Sequence, residues 1–215
     1  MDMPHLYYGG LFSIYTIQSM EREGVKMGRR LFVDMDGTLA VFNKVETLEE
    51  LYTRGYFLHL APHLNVINAI KHILEKEHAV RVHILSAVLT DSDYALEEKN
   101  AWLDRYLPEI RPERRLFTPC GEDKKEHIPG GITKADFLLD DYTHNLNRWE
   151  PLGCGIKLLN GINNTRGTWM GDRVRFDSPP AVLSQNILYI LRRRDRSFEP
   201  YAHEYSKPGG NALER

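Results

Sequence analysis

The chain has 215 residues, enough for one domain or one domain with a small insert. Its 28 Lys and Arg nearly balance 30 Asp and Glu, which excludes a generally basic nucleic-acid binder and an acidic disordered chain. No run approaches the ~20 apolar residues of a membrane-spanning helix. The early apolar run Leu6 to Ile17 lacks the basic flank of a secretion signal, so a cytoplasmic protein with Cys120 and Cys154 reduced is expected.

Residues 1–27 form an N-terminal extension of mixed character, and Met27 is an alternative start. Five short apolar runs then read as buried strands: Arg30–Met35, Val80–Ser86, Arg115–Thr118, Ala135–Asp140 and Gly155–Leu159. Helical patterns alternate with them. Pro62–Glu77 places Leu64, Ile67, Ile70 and Leu74 on one face, with Pro62 suited to a first turn. Asp91–Tyr106 carries early carboxylates and late cations, and Pro108 stops it. Tyr142–Glu150 and Pro180–Arg194 complete the set, and residues 195–215 read as a flexible tail. Strands alternating with helices imply right-handed crossovers and a doubly wound α/β fold of three layers around a parallel five-stranded sheet.

The informative segment is Asp34-Met35-Asp36-Gly37-Thr38, which follows an apolar strand. Ligands of open α/β sheets bind beyond the carboxyl ends of the strands, where Asp34 and Asp36 fall. Spacing of two in a continuing strand points both carboxylates to one face. Gly37 lets the chain turn and brings backbone N–H groups near a phosphate. A lone Asp-x-Asp is a common turn, but the full run after a strand is rarer.

This segment resembles the first motif of the haloacid dehalogenase (HAD) superfamily of phosphohydrolases. The later motifs can be traced in order. Ser86 ends the second strand, and Phe137-Leu138-Leu139-Asp140-Asp141 supplies an acidic pair after a buried run. Two adjacent buried carboxylates repel unless a cation separates them, and magnesium prefers oxygen ligands. The motif lysine is ambiguous by order: Lys124 ranks first, Lys125 second and Lys134 third, because Lys134 lies at the far end of its strand. Within the superfamily the chain looks like the type C 5′(3′)-deoxyribonucleotidases, through Tyr56-Phe57-Leu58-His59-Leu60-Ala61-Pro62 and the Leu-Leu-Asp-Asp ending.

The resemblance implies a HAD-like domain over 28–194 and a magnesium-dependent phosphomonoester hydrolase. Asp34 is then the nucleophile and Asp36 the general acid/base. Lys124 stabilises phosphoryl charge, and Ser86, Gly37 and Thr38 bind phosphate. Asp34, the Asp36 carbonyl and Asp141 hold Mg2+, with Asp140 behind them or as the alternative ligand. The substrate is a small phosphorylated molecule, with a nucleotide first. The 52 residues from Asp34 to Ser86 exceed a βαβ unit of about 30 residues by only about 20. A minimal cap over about 41–60 follows, smaller than that of the deoxyribonucleotidases. Sugar phosphates and phosphorylated macromolecules therefore remain alternatives, as does a non-catalytic phosphate-binding module.

Other features carry less. Asn160–Trp169 emerges after the fifth strand, on the site's side, as a loop that contacts substrate or merely connects. His59 and His63 are four apart, but Pro62 separates them from a shared helix, which argues against zinc. The run Arg192-Arg193-Arg194 reads as a solvated helix end, so no stable nucleic-acid complex is expected. No residue requires a partner subunit, and a homodimer stays open.

Overall fold

The computed structural model describes residues 28–43, 45–163 and 168–193, so the expected extension 1–27 and tail 195–215 lie outside the described residues. The five apolar runs form β1 (Arg29–Val33), β2 (Val80–Val88), β3 (Arg115–Pro119), β4 (Asp136–Asp140) and β5 (Cys154–Leu159). Among the described residues the sheet has six strands, one more than expected. The sixth, β6 (Asp172–Arg175), reads Asp-Arg-Val-Arg with only Val174 buried, so no apolar run marks it. It is an edge strand, able to expose one side to water.

The strand order is β3-β2-β1-β4-β5-β6, and every pair is parallel. The direction of winding reverses between β1 and β4. That is the switch point at which α/β sheets open a crevice for ligands. Asp34 and Asp140 sit at this point, on the two strand ends that flank it.

Among the described residues four α-helices cover the sheet: α1 (Leu64–Lys76), α2 (Ala95–Tyr106), α3 (Thr143–Trp149) and α4 (Pro180–Arg193). Side chains alternate across β1, so Leu31 and Val33 join one core and Phe32 the other. The larger core takes Val66, Ile67 and Ile70 of α1, Trp102 and Leu103 of α2, and Leu183 and Ile187 of α4. The smaller holds Phe32, Leu138, Leu146, Trp149 and Trp169, so α3 covers the opposite face.

Two helix starts differ from the sequence expectation. Pro62 does not open α1; it forms an antiparallel bridge with Ala40, and His63 precedes the first helical residue. Asp91 and Asp93 precede α2, whose first turn carries Glu97 and Glu98 instead. Ser92 Oγ accepts the Ala95 N–H at 3.2 Å and supplies the start signal.

The Ala40–Pro62 bridge also closes the base of the insert over 41–60, with the Val41 N–H on the Ala61 carbonyl at 2.7 Å. Among its described residues this insert has one 3-10 turn, Leu48–Tyr52, with the Glu50 carboxylate accepting the Thr47 N–H. Trp102 of α2 ties it down by donating to the Leu60 carbonyl at 2.8 Å.

One half-buried group is unrelated to the crevice. His83 on β2 stacks on Phe32 at 5.2 Å, and neither ring nitrogen has a hydrogen-bond partner. Burial pushes its pKa down to about 4, helped by Arg114, Arg30 and Arg81. The folded state therefore binds this proton less readily than the unfolded chain does. The stability involved is full above about pH 6.5 and is lost as pH falls toward about 4. Replacing His83 with Leu should flatten that loss. Between pH 7 and pH 4.5 the gap between variant and wild type in urea unfolding should shift by roughly 1–2 kcal/mol in the variant's favour, after discounting for partial exposure. Parallel pH profiles for the two proteins would refute the assignment.

Candidate active site

β1 ends at Val33, so Asp34 and Asp36 do not continue as one strand. The chain instead folds into a tight loop in which the Met35 carbonyl accepts N–H bonds from Thr38, Leu39 and Ala40. Gly37 takes φ +78, and its N–H donates to the Ala40 carbonyl at 2.8 Å. A Cβ at Gly37 would collide with the Asp141 carboxylate, so only glycine lets the two loops approach. The N–H groups of Gly37 and Thr38 are thus spent within the loop. The buried Thr38 Oγ1 remains without a partner.

The loop separates the two aspartates electrostatically. Lys124 donates to Asp34 Oδ1 at 2.6 Å and to Asp140 Oδ2 at 2.7 Å. It comes from a 3-10 turn, Lys124–His127, on the side of the smaller core. Asp36 Oδ2 instead meets Lys99 Nζ at 2.5 Å, from α2 on the side of the larger core. Spacing of two in the sequence therefore does not give a shared environment. Each carboxylate has its own lysine, from opposite helical layers.

Of the three lysines that chain order allowed, Lys124 alone reaches the acidic group. Lys125 donates to the Arg148 carbonyl, and Lys134 to the carbonyls of Glu150 and Pro151. Burial alone would lower the Lys124 pKa, but Asp140 and Asp34 outweigh it and hold the ammonium charged.

Asp140 and Asp141 follow from the end of β4. Both oxygens of Asp140 are engaged: Oδ1 accepts the Tyr142 N–H at 2.7 Å, and Oδ2 accepts from Lys124 and from Asn145 Nδ2 at 3.0 Å. Asp141 is held on one oxygen, where Oδ2 accepts from Asn160 Nδ2 at 2.8 Å and Asn163 Nδ2 at 2.6 Å. Asn160 Nδ2 also reaches the Gly37 carbonyl at 2.7 Å, which ties the loop after β5 to the loop after β1. Lys157, fully buried on β5, donates to the Asp141 carbonyl and to Thr143 Oγ1.

Carboxylate oxygens of Asp34, Asp140 and Asp141 lie within 4.8 Å of one another, and all three residues are buried. Burial raises the Asp34 pKa well above its ordinary value; Lys124 pulls it down, and Asp140, Asp36 and Asp141 push it up. Asp141 is pushed up to about 6 by burial and by Asp140, against the amide donors. An excess of buried negative charge in hard oxygen donors fits a divalent cation such as magnesium. Asp36 Oδ1 is a further buried oxygen without a partner. His59 and His63 stand outside this cluster; His63 packs against Phe176 at 5.1 Å.

Ser86 ends in the same crevice, fully buried, with its Oγ accepting from Lys99 Nζ at 3.1 Å. Lys99 and Asn160 were not among the expected site residues. Asn160 opens a loop whose sequence is equally that of a substrate contact or a plain connection. Lys99 lay inside a helix pattern, where a lysine ordinarily points to water; its signal is its position on the α2 face that carries Ala95, Trp102 and Leu103.

Residues 43–175 match the family model described as 5′ nucleotidase, deoxy (Pyrimidine), cytosolic type C protein. The chain belongs to this family. The match spans well over half of the chain and contains Ser86, Lys99, Lys124, Asp140, Asp141 and Asn160. It begins after Asp34 and Asp36, which the fold brings to the same crevice. Among solved structures, DsGPDH of Dunaliella salina is similar at 13% identity and a TM-score of 0.42, over 74% of this chain and 29% of that one. The HAD domain of the effector protein Lem4 from Legionella pneumophila is similar at 14% identity and a TM-score of 0.42, over 78% of this chain and 96% of that one. No curated protein matches the sequence.

In this nucleotidase-family site the ionised Asp34 is a net cost to folding. A carboxylate whose pKa is raised on folding contributes stability below its unfolded value and loses it as pH rises through the folded value. The metal-free Asp34→Asn protein should therefore melt above wild type at pH 8, by about 2–4 °C. The advantage should shrink at pH 4.5. A lower melting temperature at pH 8 would contradict this charge balance.

Proposed function

We propose that the protein hydrolyses phosphomonoesters through an aspartyl-phosphate on Asp34, with a nucleoside monophosphate as the first substrate class. The observation that carries this reading is the meeting of Asp34, Asp140, Asp141 and Lys124 at the switch point between β1 and β4. Membership of the type C nucleotidase family supports the substrate class.

Phosphate monoesters hydrolyse very slowly in water, so dividing the reaction into two displacements lowers each barrier. In the first, an Asp34 oxygen attacks phosphorus, the P–O bond to the alcohol breaks, and Asp36 gives its proton to the departing oxygen. In the second, Asp36 takes a proton from water as that water attacks phosphorus, and the Asp34–phosphorus bond breaks to release phosphate. One residue serves as acid and then base because each step leaves it in the state the next requires. Lys124 offsets charge on the phosphoryl oxygens and keeps Asp34 oriented. Ser86 and Thr38 offer hydroxyls to the phosphoryl group, and Thr38 Oγ1 has no other partner.

Mg2+ held by Asp34, Asp141 and the Asp36 carbonyl would neutralise developing charge and orient the phosphate. Asp140 fits the place behind it, since both its oxygens are occupied, whereas hydrogen bonds reach Asp141 through Oδ2 alone. The family's name supports a cytosolic site of action.

The short insert favours one second reading. With a single 3-10 turn among its described residues, it supplies little regular structure with which to select a nucleotide over a sugar phosphate or a phosphorylated macromolecule. A panel of nucleotides, sugar phosphates and phosphopeptides decides between them, and turnover of another class with none of any nucleotide would replace the first reading.

EDTA should abolish p-nitrophenyl phosphate hydrolysis and added Mg2+ should restore it. Asp34→Asn should lower kcat by at least about a thousandfold, the scale expected for loss of a nucleophile. Wild-type turnover by that variant would overturn the mechanism.

A further inference from the structure

Glu98 of α2 is 7% exposed, and no cation pairs with it among the described residues. Its two oxygens accept backbone N–H groups from the insert instead. Oε1 takes the Gly55 N–H, and Oε2 takes the Phe57 N–H at 3.1 Å. Gly55 adopts φ +90, which turns both N–H groups toward one carboxylate. A buried charge satisfied by two peptide donors is costly unless both bonds hold, so turn and helix are locked as a unit.

The next residue on the helix is Lys99. Its ammonium contacts Asp36 Oδ2, Ser86 Oγ and, at 2.6 Å, the Ala87 carbonyl. The Phe57 ring lies over that ammonium at 4.7 Å. The residue whose N–H Glu98 grips is thus the one that roofs Lys99. With Lys99 on Oδ2, the other Asp36 oxygen, Oδ1, is the buried atom without a partner.

We propose that Glu98 is a positioning residue: it seats the insert's turn so that Phe57 closes over Lys99, and Lys99 fixes Asp36 with Oδ1 free to protonate the leaving oxygen. The inference rests on the reading of Asp36 as the acid. It couples the insert to one chemical event, the protonation of the leaving group. Esters whose leaving group departs as a stable anion do not need that event.

The test compares kcat/KM, which covers the steps through formation of the aspartyl-phosphate. The two substrates are p-nitrophenyl phosphate and an alkyl phosphomonoester such as a deoxyribonucleoside 5′-monophosphate. Glu98→Gln presents one acceptor and one donor to two N–H groups, so one bond is lost. It should lower kcat/KM at least about tenfold on the alkyl ester and less than about threefold on the aryl ester, a fraction of what general acid catalysis supplies. Phe57→Leu keeps an apolar side chain, removes the ring, and should show the same selectivity if Glu98→Gln does not fold. Equal loss on both esters means a merely structural role and overturns the proposal, as does no loss on either. Asp36→Asn is the control. If it fails to discriminate, the acid assignment falls; if it discriminates and the Glu98 and Phe57 variants do not, this proposal falls alone.

Discussion

Three buried carboxylates, Asp34, Asp140 and Asp141, crowd one crevice with Asp36 at its side, and the rest of the site is arranged around their repulsion. Asp34, Asp36, Asp140 and Asp141 come from two neighbouring strand ends, and Lys124, Lys99 and Lys157 approach from three elements. The lysines are not interchangeable. Lys124 bridges Asp34 and Asp140, Lys99 holds Asp36, and Lys157 meets a backbone carbonyl of the acidic pair rather than a carboxylate. Burial and neighbouring carboxylates disfavour the charged forms of Asp34 and Asp141, which is where the proposed cation would offset the cost.

The sheet makes this crowding possible. At the junction of β1 and β4 the connections leave in opposite directions, so no crossover covers the strand ends. Glycine at position 37 then lets the loop after β1 touch Asp141, and the Asn160 amide bonds to both. Every hydrogen-bonding position of that amide is used, since Asn160 Oδ1 accepts the N–H groups of Ile162 and Asn163. A fully satisfied buried amide has one orientation, and it transmits that orientation to Asp141.

Much of this is legible in the amino-acid sequence. Five of six strands stood out as apolar runs, because a strand covered on both faces must be apolar on both. β6 did not, because an edge strand with one buried side chain has no such requirement. The first turn of α2 starts later than the pattern at Asp91 suggests, since Asp and Ser before a helix serve equally as first-turn residues and as caps. Asp34, Asp36, Asp140 and Asp141 were visible because two acidic pairs after apolar strands are unusual in sequence. Lys99 and Asn160 were not, because a lysine in a helix and an asparagine in a loop are ordinary until something buries them.

The sequence by itself determined the α/β class, the positions of the acidic groups at strand ends, and the order of the motifs. These depend on local pattern: apolar run length, turn residues and spacing along the chain. Only the tertiary structure decided which lysine meets which carboxylate. Lys124 lies 90 residues from Asp34 and Lys99 lies 63 from Asp36, and they reach them from opposite faces of the sheet. A pairing across that separation is set by the packing of helical layers on a twisted sheet, where charge and shape act through space rather than along the chain.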